Sequence, residues 1–217
     1  MIPALINDRW ELELPDHRAE FHAERPWWEA PRLSDMFDRL SDTDTLIDVG
    51  SEEGDLTALY ASWGPDVHYI DPSSYWRQQT LDTFAANDLV PGIGFTGFAA
   101  DYTDLDPTGS QEGDGFAHLN ERDDIPRVTL NYFATWLSKP PTALMIDVEG
   151  AEVAVLLGAQ KLLAEDRPTV WVSVHPEFMK QRYNQNPHYL FGLMDNLGYD
   201  RTFLDDHHEV DYRFDPR

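Results

Sequence analysis

The stretch Thr45-Leu46-Ile47-Asp48-Val49-Gly50-Ser51-Glu52-Glu53-Gly54-Asp55 constrains the fold of this chain more than any other. An apolar, β-branched run ends in a glycine turn, and apolar residues at helical spacing (Leu56, Leu59, Tyr60, Trp63) follow at once. That is a buried parallel strand, a tight turn and a helix. In an open α/β sheet, ligands bind beyond the carboxyl ends of such strands.

The remaining segments repeat the alternation. Val67–Ile70 reads as a second strand ending in Asp71-Pro72, with a helix over 75–87 and a glycine-containing strand over 94–99. Val128–Leu130 is a short strand or extended link, and 131–138 a short helix stopped by Pro140-Pro141. Thr142–Asp147 and Thr169–Val174 are strong buried-strand signals. Helices are expected over 151–164 and 187–197, the second capped by Gly198. Arg201–Leu204 and Glu209–Phe214 flank Asp205-Asp206-His207-His208 as a closing antiparallel pair, with both histidines expected in a solvent-facing turn.

The pattern predicts an α/β fold: a doubly wound, mostly parallel seven-stranded sheet with an antiparallel last strand, in one domain of 217 residues. Residues 1–40 are expected to be an N-terminal arm, irregular or lid-like to residue 30, and a first helix over 31–40 with Pro31 in its opening turn. The polar stretch 101–124, punctuated by Gly109, Gly113 and Gly115, reads as a short hairpin or a substrate-facing lid.

Charge limits the partners. Acidic residues number 40 against 16 basic ones, and only Lys139, Lys161 and Lys180 are lysines. A formal charge of −24 without a basic cluster argues against nucleic acid. Self-repulsion of this size suits a high-salt cytoplasm, where the Debye length falls to ~3 Å at 1 M. The melting temperature is therefore expected to climb as KCl is raised into the molar range; equal stability in dilute buffer would refute the halophilic reading. Cysteine is absent, so thiolate metal sites are excluded. No apolar run reaches the ~20 residues of a membrane span, and no signal-peptide pattern opens the chain. A cytoplasmic protein without a membrane partner is expected, and a homodimer is allowed.

The glycine turn lacks the third glycine of a dinucleotide fingerprint, and no Walker pattern exists. A pyrophosphate there would face Glu52, Glu53 and Asp55 without a nearby cation. S-adenosylmethionine instead carries a sulfonium and an ammonium, which suit a carboxylate-rich turn. Asp71, 21 residues after Gly50, is placed to accept both ribose hydroxyls, and Asp48 to help hold the methionine part.

With these blocks the chain resembles FkbM-type methyltransferases, a class I, S-adenosylmethionine-dependent family that mostly methylates hydroxyl oxygens. The resemblance spans residues 27–178. It is carried by Trp28-Glu29, by Ile47-Asp48-Val49-Gly50 with Gly54, and by Asp71-Pro72 in place of a usual Glu-Pro. Its most specific block is Met145-Ile146-Asp147-Val148-Glu149-Gly150-Ala151-Glu152, continuing through Val155–Ala159, then Arg167-Pro168 and His175-Pro176-Glu177. The chain departs from the family at Ser51-Glu52 (usually Ala-Asn), Met145 (usually Lys) and Asn131 (usually Asp), positions expected near the cofactor or the pocket mouth. The resemblance implies cofactor contacts at Glu29, Asp48, Gly50, Ser51, Glu52, Gly54, Asp71, Pro72 and Asp101.

A hydroxyl acceptor needs a proton acceptor. Asp147, Glu149 and His175 fall at the carboxyl ends of expected neighbouring strands, so Asp147 or His175 is the expected base and Glu149 the orienting group. The same three side chains also suit a divalent cation, but no ligand spacing demands one and no metal is expected. The expected activity is O-methylation of a small hydroxylated acceptor, a sugar or glycan component. The alternative is a binding protein that keeps the fold without turnover.

Overall fold

The computed structural model describes residues 1–105, Leu119, 124–207 and 209–217. It opens with an antiparallel hairpin, β1 (Ile2–Ile6) and β2 (Trp10–Leu14). Asn7 and Asp8 turn it with φ of 53° each, the left-handed pair a tight hairpin needs. Trp10, Leu12 and Leu14 face inward at period two. Helix α1 (Asp16–Glu24) follows, then α2 (Ala30–Phe37) with Pro31 in its first turn. The N-terminal segment is thus regular and packed, not the irregular arm its prolines suggested.

Next come β3 (Thr45–Val49), α3 (Asp55–Ser62), β4 (Asp66–Asp71) and α4 (Ser74–Ala86). Ser73 caps α4 by accepting from the Trp76 N–H at 3.3 Å. The expected strand over 94–99 divides at Gly97 into β5 (Gly94–Thr96) and β6 (Phe98–Ala99). The Gly97 N–H turns back to the Asp71 carbonyl at 2.9 Å, so β5 pairs with β4 while β6 pairs in parallel with β7 (Arg127–Val128). Of the expected hairpin or lid over 101–124, all but residues 101–105, 119 and 124 lies outside the described residues.

The chain continues through α5 (Leu130–Phe133), a short 3-10 turn (Ala134–Trp136) and β8 (Ala143–Ile146). The helix expected over 151–164 is two helices, α6 (Glu152–Gly158) and α7 (Gln160–Glu165). The axis breaks at Ala159, whose N–H bonds Leu156 three residues back at 3.1 Å. After β9 (Thr169–Val174) comes a helix that periodicity missed, α8 (Pro176–Tyr183), which buries only Met179. The chain ends with α9 (Pro187–Asn196), β10 (Tyr199–Asp205) and β11 (Val210–Pro216).

The main sheet has the order β10-β11-β9-β8-β3-β4-β5. Its β9-β8-β3-β4-β5 portion is parallel, and β11 runs antiparallel to both β9 and β10. One face packs on α6, α7 and α9 around Val155, Leu163 and Met194; the other packs on the N-terminal hairpin, α2 and α3 around Leu33, Leu59 and Trp171. All five residues of β3 are buried, as befits a strand covered on both faces. Strand order reverses at β3, which pairs with β4 on one side and β8 on the other. The crevice beyond that reversal is the expected ligand position. No helix among the described residues is long and apolar enough to cross a membrane.

Candidate functional site

Gly50 leaves β3 with φ of 88° and its N–H on the Ile70 carbonyl at 2.8 Å. Ser51 is buried, and its hydroxyl has no hydrogen-bond partner. The Glu52 N–H donates to Asp71 Oδ2 at 2.9 Å, and the Ser73 N–H donates to Asp71 Oδ1 at 2.8 Å. Asp71 was expected to reserve its carboxylate for two ribose hydroxyls. It is first of all the clamp that joins the turn to the end of β4, with one lone pair left on each oxygen. Burial pushes Asp71 up to about 7. Asp48 accepts from Thr57 Oγ1 at 2.6 Å, and burial pushes it up to about 6.

Two cavities flank the turn. The first is walled by Ile70, Pro72, Trp76, Phe98, Ala99 and Val148, with Asp71 at its edge. The second is charged, holding Glu29, Asp48, Ser51, Asp55 and Glu209 together with Arg18 and Arg32. Gly50, Glu52, Asp147 and Glu149 line both. A third hollow, formed by Val174, His175, Pro176, Phe178 and Val210, meets the others at Glu149. Seven of the nine expected cofactor positions therefore line these cavities, while Gly54 is a turn residue behind them: its φ of 77° starts α3, tight against Thr80. Asp101 is exposed and lines none of these cavities. Glu29, Glu52 and Glu149 have φ of 52°, 43° and 54°. Non-glycine residues seldom hold such a conformation, and strain of this kind concentrates at binding sites.

The acids of the turn are not without nearby cations. Asp55 accepts from Arg18 at 2.7 and 2.9 Å and lies 2.6 Å from His22 Nε2. Burial would raise Asp55, but the Arg18 and His22 contacts outweigh it and hold the carboxyl well below the ordinary range. Glu53 pairs with His17 and accepts from Gln79 at 2.7 Å. Two of the three acids are thus engaged by α1 and α4, and only Glu52 is left to the cavities, where burial and the charges of Asp71 and Glu149 push it up to about 8. Asp55→Asn is expected to destabilise the chain by about 3 kcal/mol, because Arg18 is left largely buried without its partner. The depressed carboxyl stabilises the fold above its unfolded value and loses that contribution only in strong acid, so urea melts of wild type and variant should converge as pH falls below about 3.

Deeper in the second cavity, the Arg32 guanidinium is 1% exposed. It ion-pairs with Glu29, approaches Asp211 at 3.4 Å, and donates to Tyr60 Oη at 3.2 Å and Met145 Sδ at 2.9 Å. Burial nevertheless pushes Glu29 up to about 7. Asn131 is remote from the cofactor crevice: its Oδ1 accepts the Leu162 N–H in the first turn of α7 at 2.9 Å, a service an amide performs as well as a carboxylate.

Asp147 and Glu149 follow β8, and His175 follows β9. The three converge as expected, with His175 Nε2 at 3.6 Å from Asp147 and 4.0 Å from Glu149. Two residues that sequence reasoning did not bring to the site complete the cluster. Glu152, fully buried, lies 2.7 Å from His175 Nδ1, and Glu209 lies 3.1 Å from Nε2. Burial disfavours the imidazolium, yet Glu152, Glu209 and Asp147 raise His175 to about 11. Without another cation His175 therefore holds its proton at neutral pH, which removes it as the expected base. Burial, and then the Glu209 charge, push Asp147 well above the ordinary carboxylate range. His207 is exposed, set edge-on against Trp27 at 4.4 Å; His208 lies outside the described residues.

A family model described as the methyltransferase FkbM domain matches residues 48–214. Among solved structures, the chain is similar to methyltransferase FkbM from Methylobacillus flagellatus KT, with a TM-score of 0.54, 20% identity, and 81% of this chain and 44% of that one covered. The chain thus spans less than half the length of that protein. An rRNA methylase from Streptococcus thermophilus matches with a TM-score of 0.53 at 13% identity, over 86% of this chain and 95% of that one. Magnesium protoporphyrin IX methyltransferase from Synechocystis PCC 6803, with bound SAM, matches with a TM-score of 0.53 at 10% identity, over 93% and 83%. These likenesses are of fold, and they agree with the class I sheet order described above. No curated protein matches the sequence.

Proposed function

Since the chain belongs to the FkbM methyltransferase domain family, we propose that it transfers a methyl group from S-adenosylmethionine to a hydroxyl of a small acceptor, a sugar or glycan component. The observation that carries this reading is the meeting of three hollows at one carboxylate pair: Asp147 and Glu149 line both cavities beside the glycine turn, and Glu149 also lines the hollow at His175. The residues fit the cofactor. The apolar walls of Phe98, Ala99 and Ile70 suit an adenine, and Asp71 with its remaining lone pairs suits a ribose. The acid-rich cavity suits a sulfonium and an ammonium, and the orphaned Ser51 hydroxyl offers them or the carboxylate a polar partner.

Held by Asp71, Ser51 and the acids of the second cavity, the cofactor would supply an electrophilic methyl group for an acceptor oxygen, the carbon–sulfur electron pair remaining on sulfur. Asp147 accepts the hydroxyl proton from its place on the wall that both cavities share. Glu149, oriented by Arg182 through its carbonyl at 2.8 Å and its carboxylate at 3.6 Å, holds the acceptor. Positioning supplies much of the remaining acceleration.

Calorimetry with S-adenosylmethionine and S-adenosylhomocysteine tests this directly; absence of binding by both rejects it. The pH dependence has a definite sign. Asp48 and Asp71 are raised to about 6 and about 7 in the fold. Their contribution to apo-protein stability is therefore full below their ordinary values near 4 and is lost as pH rises through 6 to 7. A cationic ligand favours the ionised forms. Melting of the apo-protein should fall between pH 4 and 7, while the upward shift caused by S-adenosylmethionine should grow over the same range. Parallel curves would contradict the electrostatic account.

A further inference from the structure

We propose that His175 Nε2, Asp147 and Glu209 form a binding site for one divalent cation of the Mn²⁺ or Mg²⁺ class at the acceptor side of the crevice. The three residues offer ligand atoms that lie within 4.8 Å of one another. His175 Nε2 is 3.1 Å from Glu209 Oε1 and 3.6 Å from Asp147 Oδ1. Neighbouring ligands of an octahedral ion with bonds of 2.0–2.1 Å stand about 3 Å apart, so the three atoms need only small rotations to close on one ion. Glu149 Oε1, 4.0 Å from the same nitrogen, is within reach as a fourth ligand.

The independent sign of a ligand is the imidazole itself. His175 is 6% exposed, and its Nε2, aimed into the carboxylates, closes no well-directed hydrogen bond, its nearest oxygen being Glu209 Oε1 at 3.1 Å. Its other nitrogen is committed: Nδ1 stands 2.7 Å from Glu152 Oε1, and that oxygen also accepts the Gly150 N–H at 3.0 Å. Glu152 is fully buried, so an Nδ1–H donated to it sets the tautomer. A carboxylate behind the distal nitrogen is the support that metal-binding histidines require. The neutral tautomer then points a lone pair at two carboxylates, and only a proton or a cation between them relieves that repulsion. Two carboxylates and one imidazole suit Mn²⁺, which accepts both oxygen and nitrogen donors.

The acceptor role rests on the methyltransferase reading: a cation there would neutralise charge developing on the attacking oxygen, next to the hollow lined by Val174, Phe178 and Val210. Binding of the ion does not depend on that reading. The test is Mn²⁺ uptake by the full chain, followed by loss of the free-ion EPR signal in molar KCl, where diffuse binding to the acidic surface is screened. One ion per chain is expected. Glu209→Gln and Glu152→Gln should each weaken it by about 10–100-fold, the second through the imidazole alone. Because a variant can lose its fold, electron-spin-echo modulation on wild type provides the decisive signature, with coupling from one coordinated imidazole nitrogen expected. No uptake at millimolar Mn²⁺, or uptake without nitrogen coupling, overturns the site. Calorimetry with S-adenosylhomocysteine in EDTA separates the two readings. Cofactor binding without Mn²⁺ uptake rejects the cation site alone, and Mn²⁺ uptake without cofactor binding rejects the methyltransferase reading alone.

Discussion

Gly50→Ala is expected to destabilise the chain by about 3–5 kcal/mol and to abolish cofactor binding. Two effects add. The φ of 88° costs an L-residue about 1–2 kcal/mol. A Cβ at this position would also fall inside the van der Waals envelope of the Asp147 carbonyl oxygen, with the Val148 side chain close by at 3.4 Å. That oxygen belongs to backbone held by the Asp147 N–H on the Val49 carbonyl at 2.9 Å, so it cannot swing aside as a side-chain end would. Overpacking against fixed atoms costs a further 1–3 kcal/mol. Relief would come from parting the ends of β3 and β8, which opens the crevice where the two cavities meet. Chemical denaturation and calorimetry with S-adenosylhomocysteine check both halves. A variant within 1 kcal/mol of wild type that still binds the cofactor product would show that the two strand ends are not locked together.

The same close approach explains what could be read before the structure. Gly50 and Asp147 are 97 positions apart, yet each announces itself locally, by a buried apolar run ending in a turn. Strand identity, the parallel sheet and the gathering of Asp48, Asp71, Asp147, Glu149 and His175 at one edge follow from such local signals and from the rule that ligands sit beyond the strand ends. Residues delivered by strand order alone were not legible. Glu209 reaches His175 because β11 inserts between β9 and β10 with Val210 opposite Val174, and nothing in residues 205–214 specifies that insertion.

Electrostatic pairing was hidden for a related reason. Glu53 and Asp55 looked like bare acids because their partners, His17, Arg18 and His22, lie more than 30 positions upstream. Their helix α1 has little amphipathic character to reveal which face packs. Met145 stands where the family usually has lysine. Arg32, from α2, brings its guanidinium to within 2.9 Å of that sulfur, so this chain has a buried positive charge beside the position, supplied from elsewhere in the sequence. The departure at Ser51-Glu52 also changes meaning. The Glu52 N–H is what Asp71 holds, and a backbone donor is indifferent to the side chain attached to it.

Asp147→Asn is the second change with a large expected effect: kcat should fall by about 10²–10⁴, with the affinity for S-adenosylhomocysteine unchanged. The amide preserves shape and keeps one acceptor oxygen, but it cannot take the proton released as the acceptor oxygen bonds to the methyl carbon. Stability should rise slightly or hold, because burial and the Glu209 charge already disfavour the native carboxylate. The measurement is product formation with whichever member of a panel of sugars supports release of S-adenosylhomocysteine by wild type. Undiminished kcat would reject Asp147 as the base. A loss that saturating Mn²⁺ restores would assign it to holding the cation instead, since an asparagine oxygen can still coordinate while it cannot accept a proton. Loss that Mn²⁺ leaves untouched separates the two duties. It makes Asp147 the proton acceptor and leaves Glu209 and His175, which do not line the apolar cavity, to hold the ion.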